Sequence, residues 1–272
     1  MKSREEKLAA FGRILDILDE LRVKCPWDRA QTTESLRPQT IEEVYELSDA
    51  ILKEDDHNIS KELGDVLLHV LFYAKIGEEK GTYDIVDVIN FLCDKLVYRH
   101  PHVFSTASVA DAAEVVKNWE MLKTKEKDGN RRVLSGVPDT LPPLLKAYRM
   151  QDKARGVGFD WEDKSQVWDK VSEERSEFQT ELAAMESAPD DQARKAAADR
   201  AEAELGDYIF SVVNAARLYG LNPDTALERT CAKFKRRFTY LEEHTIRQGK
   251  DLKDMSLAEM DAIWNEAKAK GL

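Results

Sequence analysis

Turn-forming residues are scarce in this chain. Its 272 residues include only 12 glycines and 8 prolines, too few for the many tight turns of an all-β fold. The alternation of apolar and polar residues that is typical of a half-buried strand is almost absent. These absences favour an all-α fold, and the length fits either one large domain or two of ordinary size.

Cysteines and long apolar runs are also lacking. The three cysteines, Cys25, Cys93 and Cys231, are far apart and form no CxxC pair, which argues against a zinc site and is typical of a reducing compartment. No run of about 18 apolar residues, the length that a transmembrane helix needs, is present. The charged start of the sequence has no apolar segment typical of a secretory signal. We therefore predict a cytoplasmic protein with no membrane partner.

An excess of positive charge is missing as well. The net charge of −11 argues against a nucleic-acid groove, which needs a basic face. A nucleotide substrate is not excluded, because a bound metal ion can reverse the local field. Neither GxxxxGK[ST] nor GxGxxG occurs, which excludes a P-loop and a Rossmann-type site.

Apolar residues at helical spacing are abundant, and they predict a chain made almost wholly of helices. Two capping boxes place helix starts at Thr40, with Glu43, and at Ser256, with Glu259. The prolines within residues 23–39 predict an ordered loop or short turns there. The predicted helices span residues 4–22, 40–53, 59–79, 84–98, 109–127, 143–155, 164–186, 191–219, 223–246 and 256–269.

The acidic motifs of the sequence occur twice and in the same order. A Glu-x-x-Glu motif is followed by ELGD and then by Lys-x-x-x-Arg in each half of the chain. We infer an internal duplication, with two tandem copies of one helical-bundle unit. A polar stretch with Gly and Pro separates the copies and predicts the domain limits. The predicted parts are an N-terminal domain 1–127, a linker 128–142 and a C-terminal domain 143–272.

Each acidic set suits a divalent cation. Residues three or four apart share one face of a helix, so two packed helices can bring four carboxylates together. Two unpaired carboxylates about 4 Å apart repel by roughly 4 kcal/mol at an effective dielectric near 20, so such a cluster needs cations or solvent. Oxygen donors alone are typical of Mg²⁺ or Mn²⁺. The acids are Glu174, Glu177, Glu204 and Asp207, and in the other copy Glu43, Glu46, Glu62 and Asp65.

The acidic motifs also fit roles that need no Mg²⁺. A di-iron site requires Glu-x-x-His, and neither ELGD motif supplies the histidine; His69 follows one of them, but Ser211 stands at the matching position of the other. A single Glu-x-x-Glu is usually no more than a solvated helix face. Glu43 has a competing role as the capping acid of Thr40, and the ELGD glycine has one in close helix packing. Recurrence in the same order favours a shared site.

Basic residues complete the pattern. Lys95 and Arg99, and likewise Lys233 and Arg237, are four residues apart. Cations that face a metal-carboxylate site are what a polyphosphate needs. Near the end of the sequence, Trp264 and Lys268 are one turn apart and form a candidate pair for stacking a base and binding a phosphate.

These motifs resemble a known family. The segment EEVYE…ELGD, with CPWD before it and RHPHVF after it, is similar to the MazG nucleoside triphosphate pyrophosphohydrolases, in their two-domain bacterial form, over essentially the whole chain. The resemblance implies an all-α homodimer that hydrolyses NTPs and dNTPs to a monophosphate and pyrophosphate with Mg²⁺. It also implies a role in nucleotide-pool cleaning or a stress response.

The resemblance also implies roles for individual residues. It makes the C-terminal copy the catalytic one and the N-terminal copy a second site that is active, weak or only structural. The implied Mg²⁺ ligands, which with Glu173 form the catalytic set, are Glu174, Glu177, Glu204 and Asp207. The implied nucleotide-binding residues are Lys170, Glu173, Arg200, Lys233, Arg237 and Trp264. Helical spacing alone adds Lys268, and Lys95 with Arg99 at the second site.

Three alternative functions remain open from the sequence. The site could hold a nucleotide in a regulatory module without cleaving it. The protein could be a helical scaffold whose acids are solvated. It could also be a related phosphohydrolase of the dUTPase-like or phosphoribosyl-ATP type.

Overall fold

The chain divides into two compact units. The computed structural model describes residues 2–105, 132–247 and 251–272, together with the single residues 111, 115, 119, 122 and 249. The first unit spans Met1–Ser108 and the second Val109–Leu272. Among these described residues the regular elements are helices and no strand is found, which confirms the predicted all-α fold.

The first unit is built around a pair of long helices. Its helices are α1 (Arg4–Lys24), α2 (Pro26–Ala30), α3 (Thr33–Leu52), α4 (Asp56–Glu79), α5 (Ile85–Arg99) and α6 (Pro101–Phe104). Residues 53–55 turn the chain back, so α3 and α4 lie side by side, and α1 packs on α4. Their apolar faces form a core that excludes water and stabilises the unit. The core residues are Leu18, Leu36, Leu71, Phe72 and Ile76.

The second unit repeats the long helix pair. Its helices are α7 (Pro143–Gly156), α8 (Val167–Glu186), α9 (Asp191–Leu218), α10 (Pro223–Arg247) and α11 (Leu257–Ala269). α8 and α9 pack along one another, α7 lies against α9 and α10, and α11 lies against α10. Val167, Val171 and Ala215 form a small buried core between α8 and α9, with Tyr208 and Leu218 packed on it.

The predicted helix start at Thr40 is wrong. α3 begins directly after Thr32, whose hydroxyl accepts a hydrogen bond from the Ser35 amide (3.2 Å) while the Ser35 hydroxyl accepts one from the Thr32 amide (2.9 Å). Leu36, only 1% exposed, holds this first turn in the core. Pro38 lies inside the helix, where it removes one backbone hydrogen bond near the start. α2 occupies part of the predicted loop.

The second predicted capping box is confirmed. The Ser256 hydroxyl accepts from the Glu259 amide (3.3 Å), and the Glu259 carboxylate accepts from the Ser256 amide (2.9 Å). The predicted helix over 109–127 lies almost wholly outside the described residues. The first compact unit ends at Ser108, earlier than the predicted limit at 127, and the domain limits stay a prediction.

Candidate active site

Three carboxylates of the first unit meet between α3 and α4. Glu43 lies on α3, and Glu62 and Asp65 lie on α4. One carboxylate oxygen from each of these residues lies within 4.8 Å of the other two. The short α3–α4 connection and the spacing of three within ELGD bring the three groups to one place.

This cluster holds more negative charge than its protein neighbours balance. Glu62 is only 6% exposed, and within the described part of the chain its Oε2 has no hydrogen-bond partner. Its other oxygen lies 3.7 Å from the Lys61 ammonium, which is itself exposed. Burial raises the pKa of Glu43, and the charges of Asp65 and Glu46 raise it further. A buried acceptor without a donor is costly, and a cation would relieve that cost.

The second unit builds a matching cluster between α8 and α9. Glu174 and Glu177 lie on α8, Glu204 lies on α9, and one oxygen of each lies within 4.8 Å of the other two. The Lys170 ammonium lies 2.7 Å from Glu174 Oε1 and 2.9 Å from Glu173 Oε1. This cluster therefore has a cation at its edge that is held by two short ion pairs, whereas Lys61 of the first unit makes one longer contact with Glu62.

The charged groups of the second cluster shift one another's pKa values. The hydrogen bonds to Glu174 and Glu173 raise the pKa of Lys170 well above its ordinary value. Loss of hydration raises the pKa of Glu177, and the charges of Glu174 and Glu204 raise it further, while Lys170 opposes the shift. Glu177 thus remains under repulsion despite the lysine.

The donor chemistry of both clusters fits Mg²⁺. Each offers carboxylate oxygens and no sulfur or imidazole, which is the donor set that hard divalent cations prefer. The unpartnered Glu62 oxygen and the raised carboxyl pKa values are the signs of groups that lack a countercharge. Mn²⁺ shares this preference.

Two predicted ligands lie outside these clusters. Glu46 and Asp207 are both exposed and belong to neither group of close carboxylates. Glu46 acts on Glu43 through its charge, and Asp207 lines a cavity together with Glu174. The structure thus brings together three of the four predicted acids in each copy.

Three of the competing roles, the Thr40 cap, close packing at the ELGD glycines and a histidine ligand, do not hold in this structure. Thr40 lies inside α3, so Glu43 is not its capping acid. A methyl group built at Gly64 or Gly206 meets no described atom within 4 Å, so the ELGD glycines are not required for close helix packing. His69 turns its Nδ1 to the Thr40 hydroxyl (3.0 Å) and is not part of the carboxylate cluster.

The predicted basic and aromatic residues lie on α10 and α11. The Arg237 guanidinium sits 5.8 Å from the Trp264 ring centre and donates to the Leu272 carbonyl (2.6 Å). Phe234 packs on the same ring at 5.1 Å. Lys233 and Lys268 are exposed. No ion pair joins these α10 and α11 cations to the acidic cluster among the residues the structure describes.

The remaining predicted basic residues are Arg200 on α9 and Lys95 and Arg99 on α5. Arg200 on α9 donates to Glu181 on α8 at 2.8 Å. In the first unit, Lys95 is exposed and Arg99 is half-buried in the last turn of α5.

Sequence reasoning missed a cavity of about 580 Å³ beside the second cluster. It reaches Lys170, Glu174 and Asp207 at one end and extends between α7, α9 and the turn after α7. Its polar residues, Gln151, Asp160, Asn214 and Arg217, fall in no repeated motif. The segment RGVGFDW, residues 155–161, supplies one wall, and its mixture of aromatic and acidic residues was the available signal.

The fold and the two clusters define an all-α protein whose paired helices carry groups of carboxylates with the donor set that a divalent cation prefers. In addition, no described helix has both the length and the apolar character needed to cross a membrane.

Comparison with known proteins finds relatives over nearly the whole chain. A family model described as the MazG nucleotide pyrophosphohydrolase domain matches residues 31–104. The nucleoside triphosphate pyrophosphohydrolase of Escherichia coli (strain K12) is 38% identical over 265 residues, covering 95% of this chain and 97% of the relative. The nucleoside triphosphate pyrophosphohydrolase/pyrophosphatase MazG of Thermotoga maritima is 38% identical over 261 residues, 95% of each chain.

A further relative is longer than this chain. The uncharacterized protein YabN of Bacillus subtilis is 48% identical over 270 residues, which are 97% of this chain and 53% of YabN. Near-complete coverage at this identity decides the family. The chain belongs to the MazG family of nucleotide pyrophosphohydrolases.

Proposed function

We propose that the protein hydrolyses NTPs and dNTPs at the α–β bond to a nucleoside monophosphate and pyrophosphate, with Mg²⁺ as cofactor and Mn²⁺ as a substitute. The observation that carries the proposal is the cluster of Glu174, Glu177 and Glu204 with Lys170 at its edge, opening on a cavity large enough for a nucleoside. The names of the relatives support the substrate class.

The acids of α8 and α9 supply the cation site. Glu174, Glu177 and Glu204, joined by Asp207, would hold Mg²⁺. When bound, the cation polarises the phosphate and lowers the pKa of water. Glu173, exposed next to these acids, orients the attacking water and accepts its proton. Lys170 fixes Glu173 and Glu174 in place through its two ion pairs.

The basic residues of α10 carry the charge of the leaving pyrophosphate. Lys233 and Arg237 share one face of α10, and Trp264 backs the Arg237 guanidinium. Because no described acid neutralises Lys233, its charge is available to a phosphate. Arg200 and Lys268 are proposed as outer phosphate contacts.

The first unit provides a second cation site in this proposal. Glu43, Glu62 and Asp65, with Glu46 nearby, would hold Mg²⁺, and Lys95 and Arg99 would face the same ligand. Support for the cation comes from the unpartnered Glu62 oxygen.

A homodimer belongs to the same proposal. α5 exposes large apolar side chains, among them Phe91 at 74% and Val86 at 57%, which a partner subunit could cover. Light scattering on a size-exclusion column should give twice the mass of the chain, and a monomer would contradict this part. We propose a cytoplasmic role in cleaning the nucleotide pool.

Product analysis tests the reaction. The protein is incubated with each of the eight common NTPs and dNTPs and Mg²⁺, and the products are separated by anion exchange. We expect a monophosphate and pyrophosphate, and none with EDTA. Diphosphate with phosphate would refute α–β cleavage. Nucleotide binding without any product would favour the regulatory module.

Variants of acidic residues test whether the carboxylate cluster of the second unit takes part in the reaction. Glu177→Gln should lower turnover at least 100-fold, because one cation ligand and its charge are lost, while Glu202→Gln, an exposed acid on α9 outside the cluster, should behave as wild type. Equal activity of both variants would show that the cluster has no part in turnover.

A second variant tests the leaving-group contact. Lys233→Ala should raise KM for the triphosphate roughly tenfold, the loss expected for one charge-assisted hydrogen bond. Its melting temperature should not change, because Lys233 is exposed. An unchanged KM would contradict the phosphate role.

A further inference from the structure

The chain after α11 turns back onto α10. The Gly271 amide donates to the Lys268 carbonyl at 3.1 Å. The Leu272 amide donates to the Ala267 carbonyl at 3.2 Å. Gly271 has a φ of 80°, the left-handed conformation that glycine adopts readily and that ends many helices in this way. The turn brings the backbone carbonyl of Leu272 to Arg237 on α10, whose Nε donates to it at 2.6 Å.

Side chains hold the end of α11 in this place. The Glu266 carboxylate accepts from the Tyr240 hydroxyl at 2.7 Å and lies 2.8 Å from the Lys270 ammonium. The same ammonium lies 4.8 Å from the centre of the Tyr240 ring. Tyr240 follows Arg237 by three residues and so lies on the same side of α10. These contacts therefore fix the end of α11 beside Arg237.

The Arg237 guanidinium is held at one nitrogen and on one face. The Leu272 carbonyl engages Nε, and the centre of the Trp264 ring lies 5.8 Å from the guanidinium carbon. Phe234 packs on the Trp264 ring at 5.1 Å between ring centres. Within the described part of the chain, neither Nη group of Arg237 has a hydrogen-bond partner. With Nε engaged, the two Nη groups are the pair that remains for a bidentate contact with an oxyanion.

The surroundings of Arg237 carry a surplus of positive charge. The segment KFKRRF, residues 233–238, contains the four cations Lys233, Lys235, Arg236 and Arg237. None of these four forms an ion pair with an acid among the residues that the structure describes. A guanidinium that served only to cap the end of α11 would need no such surplus. The charge and the fixed orientation together suit an anion with several oxygens.

We propose that Gly271 and Leu272 are positioning residues for the phosphate end of the site. The Leu272 carbonyl turns the Arg237 guanidinium so that its Nη pair faces the pyrophosphate part of the substrate. The inference rests on the proposed triphosphate hydrolysis, which assigns Arg237 to the leaving pyrophosphate. A guanidinium that is already oriented loses less freedom on binding than a mobile one. The backbone of Gly271 thus raises the affinity for pyrophosphate without touching it.

Binding of pyrophosphate to the full chain, measured by calorimetry in Mg²⁺ without nucleotide, gives the first test. A methyl group at Gly271 meets no described atom within 4 Å, so substitutions there act on the backbone. Gly271→Val disfavours the positive φ, and Gly271→Asn tolerates it. The valine variant should raise Kd about tenfold, which corresponds to about 1.4 kcal/mol, and the asparagine variant should bind as wild type. An unchanged Kd in Gly271→Val would overturn the proposal. Tighter binding would also overturn it, because Leu272 would then compete with the anion.

A second pair of variants breaks the same turn at another atom. Leu272→Pro removes the amide that donates to Ala267, and Leu272→Ala keeps that amide and the carbonyl. The proline variant should weaken pyrophosphate binding as Gly271→Val does, and the alanine variant should bind as wild type. Equal binding by these two variants would contradict the role of the Leu272 carbonyl. The melting temperature of each variant checks that it folds.

A double-mutant cycle separates positioning from a general structural effect. Arg237→Lys keeps the charge but has no fork to orient. Adding Gly271→Val to Arg237→Lys should therefore weaken pyrophosphate binding no further. An equal loss with arginine and with lysine at position 237 would show that Gly271 acts through another group, and the proposal would be wrong.

The two proposals fail separately. Weaker pyrophosphate binding in Gly271→Val, in a protein that cleaves no triphosphate, would uphold the positioning and refute the hydrolysis. Cleavage of NTPs by wild type, with pyrophosphate binding unchanged in Gly271→Val, would uphold the hydrolysis and refute the positioning.

Discussion

Neutralising Glu62 should stabilise the metal-free protein and abolish its response to Mg²⁺. Glu62 is 6% exposed and shares its cluster with two other carboxylates whose oxygens lie within 4.8 Å. At that distance two charges repel by about 3 kcal/mol at an effective dielectric near 20. Solvent around Glu43 and Asp65 screens part of this, so we expect Glu62→Gln to raise the free energy of unfolding by roughly 1–2 kcal/mol without metal.

Thermal unfolding of the full chain measures the effect. In EDTA the transition of the first unit should rise by about 5 °C in Glu62→Gln, since 1 kcal/mol shifts a unit of this size by roughly 4–8 °C. In Mg²⁺ at about 100 times its Kd, wild type should gain about 2.7 kcal/mol, and the variant should gain almost nothing. The order of the two melting temperatures should therefore reverse when Mg²⁺ is added.

Glu46 provides a matched control for Glu62→Gln. Glu46→Gln changes an exposed acid of α3 outside the cluster, so it should shift the metal-free transition by less than half as much. A metal-free Glu62→Gln protein that melts below wild type would mean that the Glu62 carboxylate is satisfied in the fold. The inference that the cluster needs a cation would then be wrong.

Two further predictions concern the first unit. A methyl group at Gly77 would lie 2.6 Å from the Tyr83 ring and 2.7 Å from the Tyr83 backbone oxygen. Gly77→Ala should therefore lower the free energy of unfolding, measured in urea, by roughly 1–3 kcal/mol. Gly64 has open space around it, so Gly64→Ala should raise that free energy by about 0.5–1 kcal/mol, and equal effects of the two variants would contradict the packing at Gly77. The hydrogen bond from Arg22 lowers the pKa of Glu79 from 4.5. The stabilisation from this ion pair is therefore complete above pH 4.5 and is lost as the pH falls through the lower pKa of the folded state. In Glu79→Gln the free energy of unfolding should fall less steeply on acidification than in wild type, and an unchanged slope would contradict this role of Glu79.

Periodicity and repetition were enough to predict most of the helices. Apolar spacing predicted the helices that correspond to α1, α4 and α7–α11 to within a few residues, because each has one face on a core. The start of α3 was missed because its capping box uses Ser35 in place of the usual Glu or Gln, and because burial of Leu36 outweighs the cost of Pro38. Local motif rules do not contain that tertiary contribution.

The candidate site was predictable only where it repeats. The recurrence of the acids identified Glu43, Glu62 and their counterparts, because helix spacing alone fixes which residues share a face. The amides of Gln151 and Asn214 could not be predicted, because their orientation depends on Phe210 and Arg217 in other parts of the fold. Single polar residues carry no periodic signal, and only the folded structure shows that Gln151 and Asn214 line the same cavity.

The difference between the two copies also bears on folding fidelity. A chain with two similar helix pairs can misassemble by joining helices from different copies. Val171 stands three residues before Glu174, the position that Thr40 occupies before Glu43. If α4 paired with α8, His69 and Tyr73 would therefore be buried against the Val171 side chain, which has no hydroxyl. Each would lose its hydroxyl partner at about 1–3 kcal/mol. The Thr40 hydrogen bonds therefore make the pairing of α4 with α3 more stable than a pairing of α4 with α8.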